Sequence, residues 1–398
     1  MKKNRVTIFS NGMKYTFKDV PEKKFQNYFS TFFQNYDTVD FKPKGFPFKL
    51  QIEPTNICNL HCPLCPVGCG KLGRKSEHMT FDKFRSIIND MEQYLLFLIL
   101  WNWGEPFMNP ELPQMIRYAH ERGIKTVTST NAHFISDEDY ASQILESGLT
   151  TLIVAIDSLE DKKYGIYRQG GKLETATLGL KNLTRMKKEI GSETQINLRM
   201  IVMRQNEHEV DRMRDFAREA GADIFTAKTL NPSCGLDSQD AESVPLNPKY
   251  RRYEYREGTF ERIRIDNSCT RVFSMANIFA GGEVVPCGYD FKGELKVGSI
   301  LERPFSEIWM SREFAETRRR IWLEPQTIPK CEACIINYRF SKNGEFPEIT
   351  YFNQSFSERV KHMLYEKGRK FYDRSPKGKK LIKIVEKAKQ RIFGDMPG

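Results

Sequence analysis

Between residues 48 and 227 the chain alternates strand-like and helix-like stretches, and no other feature limits its fold as much. Strand-like stretches lie at 48–53, 95–101, 125–128, 151–156, 195–202 and 223–227, with helix-like stretches at 79–94, 111–122, 137–146, 173–190 and 207–220 between them. A strand-then-helix repeat of this spacing predicts an α/β fold, a parallel sheet whose strands are joined by crossover helices. The periodicity alone does not distinguish a closed ring of six strands from an open one.

The flanking regions break that rhythm. Residues 1–47 read as an N-terminal extension with two short strand-like pieces and the aromatic stretch FQNYFSTFFQNY. Residues 232–260 are polar and read as a linker or irregular loop. Residues 261–345 carry short strands, a Gly-Gly turn and four cysteines, the pattern of a small metal-stabilised domain. Residues 346–398 read as a helical basic tail. A chain of 398 residues has room for one large domain and a small one.

The nine cysteines are clustered rather than spread. The N-terminus has two lysines but no apolar stretch behind them, so it is not a secretory signal. No apolar run reaches membrane-spanning length. A large chain without an export signal and with an odd cysteine count fits a disulfide framework poorly, so clustered thiols point to metal.

The sharpest cluster is Cys58-Asn-Leu-His-Cys62-Pro-Leu-Cys65, on a loop that follows the first strand and precedes a helix. That is the active-site end of such sheets. Three thiolates within eight residues can hold three irons of a [4Fe-4S] cube and leave the fourth open for chemistry. A zinc site could also use three cysteines, though its spacing is usually built on Cys-x2-Cys pairs.

This Cys-x3-Cys-x2-Cys loop resembles the signature of the radical S-adenosylmethionine (SAM) superfamily. The resemblance implies a partial (β/α)6 TIM-like barrel in which the amino and carboxylate groups of SAM chelate the open iron. An electron from the cluster would then break a carbon–sulfur bond, and the 5′-deoxyadenosyl radical would abstract hydrogen from a substrate. Trp103-Gly104-Glu105-Pro106 resembles the family motif for the methionine amino group. Gly104 would let the backbone approach and Glu105 would accept from the ammonium. Thr130 and Asn131 sit where the family binds the methionine or ribose part, with Ala132 in place of the usual glycine. Arg168, in Tyr164-Gly-Ile-Tyr-Arg168, resembles an arginine that contacts the methionine carboxylate, and Arg199 is a second candidate. Asp157, at the end of the fourth strand, is a candidate catalytic group. The segment from Val202 to Glu207 also has the family look. Each has a plainer reading: Glu105 as a helix-start residue, Asp157 as a cap, Arg168 as a surface residue.

The second cluster reads Cys269-x12-Gly282-x4-Cys287-x43-Cys331-x2-Cys334. It resembles the SPASM/twitch class of auxiliary-cluster domains, with Ile308-Trp309, Phe314 and the Arg318 region as further points of likeness. No cysteine follows Cys334, so the resemblance implies the twitch-like form, with one auxiliary [4Fe-4S] cluster beside the SAM-binding one. A four-cysteine zinc site is the alternative. Two cysteines are left over. Cys69 reads as a bystander near the open cluster. Cys234, on the loop after the sixth strand, could return a hydrogen atom to a substrate radical, or be an ordinary loop cysteine. Lys228, just before that loop, could bind a phosphate or carboxylate or snorkel from the strand end.

The net charge of +11 is concentrated at the end: from Lys361 onward twelve Lys or Arg face four Asp or Glu. Residues 379–391 have an amphipathic basic pattern that suits an anionic membrane surface, docking on the protein body, or a solvated end. Nucleic acid is a weak expectation, because the body lacks a basic, aromatic groove pattern. The expectation is a cytoplasmic enzyme, with surface membrane contact through the tail. It would be reduced by a flavodoxin- or ferredoxin-like donor. Its substrate would be a small molecule, sugar-like or lipid-linked, that is oxidised or epimerised. The alternatives are a maturase of a ribosomally made peptide and a non-catalytic metal-binding protein.

Overall fold

The structure, a computed structural model, describes residues 4–32, 40–135, 137–231, 238–265 and 268–352. The chain divides into two units, 1–350 and 351–398. Cys234 and residues 353–398 of the expected basic tail lie outside the described residues; at its start the tail is not helical, since residues 348–351 form a strand.

The expected repeat is present. Six parallel strands run in chain order, β3 (Lys49–Ile52), β4 (Phe97–Ile99), β5 (Lys125–Thr130), β6 (Thr151–Ala155), β7 (Gln195–Val202) and β8 (Ile224–Thr229). The helices α2 (Phe81–Met91), α3 (Leu112–Glu121), α4 (Glu138–Glu146), α5 (Asp161–Tyr167), α6 (Leu173–Ile190) and α7 (Val210–Glu219) lie between them. Apolar spacing explains the helices: Phe84, Ile87, Ile88 and Met91 of α2 fall on one face and are buried. Caps set their ends. Thr80 accepts from Lys83 N at the start of α2, and Gly191 with φ +72° closes α6. The short helix α5 after β6 was not expected from the sequence.

The sheet continues past these six strands. β9 (Asn277–Ile278) pairs parallel with β3, and β10 (Glu283–Val285) and β11 (Gly298–Ser299) follow antiparallel. β12 (Glu348–Tyr351), whose first three residues belong to the first unit, lies beside β8. The result is one mixed ten-stranded sheet, with the cysteine-bearing C-terminal part joined to the first by backbone hydrogen bonds.

The N-terminal residues form a separate two-stranded sheet that packs against the larger one. β1 (Val6–Ser10) and β2 (Met13–Phe17) form a hairpin, and α1 (Glu22–Phe32) follows. Its two-residue turn is Asn11-Gly12, both at positive φ, which matches the twist of paired strands. Tyr15 packs on Phe97 of β4 at 4.5 Å between ring centroids, and Asn197 Nδ2 of β7 lies 3.2 Å from Met13 Sδ. Arg199 of β7 donates to Asn11 O at 2.6 Å. Residues 248–265, expected as the end of a linker and the start of the next domain, also pack. Arg252 and Tyr253 are buried, and Tyr253 and Arg264 bridge to Phe340 and Tyr338.

Candidate active site

The loop after β3 is shaped by backbone and side-chain bonds that leave its thiols on one side. Asn56 pairs reciprocally with the chain at 75–77: its Nδ2 donates to Lys75 O and its Oδ1 accepts from Glu77 N. Glu105 N donates to Ile57 O at 2.8 Å and His61 N to Gln169 O at 2.8 Å, so the loops after β4 and α5 hold it from two directions. Gly104 has φ +100°, and a Cβ there would lie 2.5 Å from Thr55 O. The second loop therefore approaches the first as only glycine allows.

One carboxylate fastens this assembly from below. Glu53, fully buried at the end of β3, takes both ends of the Arg74 guanidinium at 2.9 Å. Its oxygens also accept from Trp103 N and Ala280 N at 3.3 Å. Arg74 donates in turn to Phe291 O and stacks 3.7 Å above the Phe279 ring. Trp103 Nε1 donates to Gly288 O, beside Cys287. The two cysteine sites are thus braced against each other. Glu53 and Arg74 went unread in the sequence; the only available signal was a carboxylate ending an apolar strand.

Cys58, Cys62 and Cys65 line a cavity of about 890 Å³, its open mouth included, together with Gly104, Glu105, Thr130, Asn131, Arg168, Arg199 and Lys228. Glu105 is buried, its oxygens accepting from Asn131 N at 2.7 Å and Phe107 N at 3.1 Å. Burial pushes its carboxyl up to about 7, against those hydrogen bonds. It therefore caps the turn beginning at Pro106 and also faces the cavity. The Asn131 amide is engaged by Asn59. Ala132, where the sequence departs from the family glycine, has φ +71°, a left-handed conformation that a Cβ disfavours.

Asp157 does not line this cavity. Its Oδ2 accepts from Arg168 Nε at 2.6 Å and its Oδ1 from Ile201 N at 2.7 Å, and it is buried. Each oxygen accepts one hydrogen bond, so Asp157 orients Arg168 from behind the cavity wall. Asn206, from the family-like segment after β7, holds the Asp157 carbonyl at 2.6 Å.

Cys269, Cys287, Cys331 and Cys334 line a second cavity, with Tyr289, Asp290, Lys330 and Asn337. Cys269 and Cys331 lean on a small core of Val272, Phe273, Ile321 and Ile328. Asn337 holds Cys331 O at 2.8 Å.

Burial raises the thiols of Cys58 and Cys331 to about 12 and that of Cys287 to about 11. Thiols raised in this way ionise beside a cationic metal centre, which zinc and an iron–sulfur cluster both supply. Among the described residues, the one group of three His, Cys, Asp or Glu ligand atoms all within 4.8 Å is Glu160, His208 and Glu209. That group already surrounds a cation: Lys163 Nζ lies 2.7 Å from His208, 2.9 Å from Glu160 and 3.3 Å from Glu209.

Comparison with known proteins agrees with this geometry. The radical SAM superfamily model matches residues 52–217, and the SPASM model, an iron-sulfur cluster-binding domain, matches 269–335. The chain carries a radical SAM superfamily domain and is a radical SAM enzyme. Its C-terminal part is a SPASM auxiliary iron–sulfur domain.

Fe-coproporphyrin III synthase of Methanosarcina barkeri is 25% identical over 294 residues, covering 64% of this chain and 71% of that protein. Mycofactocin maturase MftC of Mycolicibacterium smegmatis is 22% identical over 308 residues, covering 72% and 75%. The solved structure of Streptococcus suis SuiB bound to SAM shares the fold, with a TM-score of 0.52, 16% identity and coverage of 73% and 72%. Among the described residues no helix is long and apolar enough to cross a membrane.

Proposed function

We propose that this radical SAM enzyme abstracts a hydrogen atom from a ribosomally made peptide presented at the mouth of the first cavity. The observation behind the chemistry is the shared cavity of Cys58, Cys62 and Cys65 with Glu105, Thr130, Asn131 and Arg168. Two relatives support the peptide: mycofactocin maturase, and SuiB, which is also solved bound to its precursor peptide SuiA with a TM-score of 0.51. They favour this reading over the sugar-like or lipid-linked metabolite that the sequence suggested. A small-molecule substrate keeps support from Fe-coproporphyrin III synthase and the AdoMet-dependent heme synthase of Methanosarcina barkeri.

In this reading the six parallel strands form a partial barrel. Cys58, Cys62 and Cys65 hold a [4Fe-4S] cluster, and Cys269, Cys287, Cys331 and Cys334 hold one auxiliary [4Fe-4S] cluster. When bound and reduced by a flavodoxin- or ferredoxin-like donor, the first cluster and SAM supply a 5′-deoxyadenosyl radical. Glu105 accepts from the SAM ammonium, which keeps its carboxylate ionised despite burial. Arg168, held by Asp157, pairs with the SAM carboxylate. Gly104 lets the Glu105 loop close against the Cys58 loop. The auxiliary site, fully supplied with thiolates, serves structure or electron transfer.

The test is anaerobic reconstitution with iron and sulfide, then reduction and addition of SAM with either a peptide panel or a panel of sugars and tetrapyrroles. Formation of 5′-deoxyadenosine coupled to a mass change in a peptide supports the proposal. Coupling only to a small metabolite overturns the peptide reading, and zinc-bound protein that forms no 5′-deoxyadenosine overturns the chemistry.

A further inference from the structure

The wall of the first cavity built by β7 and β8 carries more positive charge than its own partners balance. Lys228, at the end of β8, lines the cavity with 28% of its side chain exposed, and its Nζ is 3.4 Å from Glu345. The same Glu345 oxygen lies 3.4 Å from Arg252 Nη2. Arg252 is 2% exposed; its Nη2 also reaches Thr229 O, while its Nε and Nη1 have no hydrogen-bond partner. Arg199 donates only to neutral oxygens, those of Thr226 and Asn11. Three cations therefore share one carboxylate. The carboxylate that lines the cavity, Glu105, accepts from the Asn131 and Phe107 amides on the opposite loops, and Asp157, outside the lining, is taken by Arg168.

The surroundings sharpen this imbalance. The Phe346 ring lies 5.1 Å from the Arg199 guanidinium and 5.9 Å from Lys228 Nζ, so an apolar ring and no second carboxylate sits against both cations there. Burial lowers the Lys228 ammonium to about 8, against the pull of Glu345 and with Arg199 and Arg252 adding to the drop. Glu345 is held down at about 2 by Lys228 and Arg252 despite its own burial, so it is already fully charged and has no more to give. A surplus of buried positive charge beside an open cavity is compensated by an anion arriving through that cavity.

We propose that Lys228 anchors an oxyanion of the substrate, a carboxylate or a phosphate, on the strand that carries none of the SAM-facing motifs. This rests on the radical SAM reading of the cavity and specifies what its substrate must carry. In a peptide the group is an acidic side chain, a C-terminal carboxylate or a phosphorylated residue. Arg199 and Arg252 supply background charge, and Glu345 holds the Lys228 ammonium at 3.4 Å.

The experiment is reductive methylation of the reconstituted full-length protein with formaldehyde and dimethylamine–borane, mapped by mass spectrometry with and without inorganic phosphate or acetate. Lys228 should be methylated, and an anion at about ten times its Kd should slow that labelling about tenfold. Protection by phosphate alone points to a phosphorylated substrate, and protection by acetate points to a carboxylate. Absence of labelling at Lys228, or labelling that neither anion slows, overturns the anchor. Protection should fade above about pH 8 as the ammonium loses its proton, and Lys228→Met should leave no anion-protected lysine in the cavity. Formation of 5′-deoxyadenosine in the same preparation is scored separately. Protection without it rejects the radical reading and leaves the anion site; the reverse rejects the anion site alone.

Discussion

Replacing Arg74 by methionine should loosen the cluster loop more than its partly covered position suggests. Arg74 gives Glu53 two charge-assisted hydrogen bonds at 2.9 Å, and Glu53 is fully buried. Without Arg74 the carboxylate keeps only the amides of Trp103 and Ala280, each at 3.3 Å. An uncompensated buried charge of this kind costs about 3–5 kcal/mol. With a urea m-value of about 3 kcal/mol/M, the unfolding midpoint should fall by roughly 1–2 M. Burial already raises the Glu53 carboxyl, so the variant can recover part of the loss by taking up a proton at low pH. Anaerobic urea unfolding of the reconstituted protein, followed by circular dichroism at neutral pH, measures the shift. The double variant Glu53→Leu, Arg74→Met should regain most of it, since neither charge is then left alone. A midpoint that moves by less than about 0.3 M in Arg74→Met, or a double variant whose loss is the sum of the single ones, would refute the reasoning.

Three other outcomes are expected. Ala132→Gly should raise stability by about 1 kcal/mol in the same unfolding assay, because it relieves a left-handed residue with φ +71°. Glu105, raised to about 7 by burial, should be protonated below that pH, so SAM affinity by calorimetry should weaken toward about tenfold per pH unit in acid. A carboxyl raised in this way favours the folded state below its usual value and loses that contribution as pH rises through about 7. The SAM-free protein should therefore lose stability between about pH 4.5 and 7, and Glu105→Gln should remove both trends. Cys287→Ser should lower iron from about eight to about four per chain while the low-temperature EPR signal of the SAM-binding cluster persists.

The sequence by itself determined the repeat and the chemistry. The strands at 151–155 and 195–202 and the helix at 173–190 were legible because apolar periodicity is a local property of the chain. The cysteine loop was conspicuous because its three thiols lie within eight residues, and Glu105, Thr130, Asn131 and Arg168, picked out beside successive strands, line the same cavity. Tertiary structure decided what depends on contacts between distant segments. It seated the N-terminal hairpin against β4 and β7, extended the sheet through β9, and joined the two cysteine sites through Glu53, Arg74 and Trp103. It also turned Asp157 away from the cavity and onto Arg168, and left Lys228, Arg199 and Arg252 around one glutamate. No periodicity carries such information, because the partners lie tens to hundreds of residues apart and their charges balance only once the chain has brought them together.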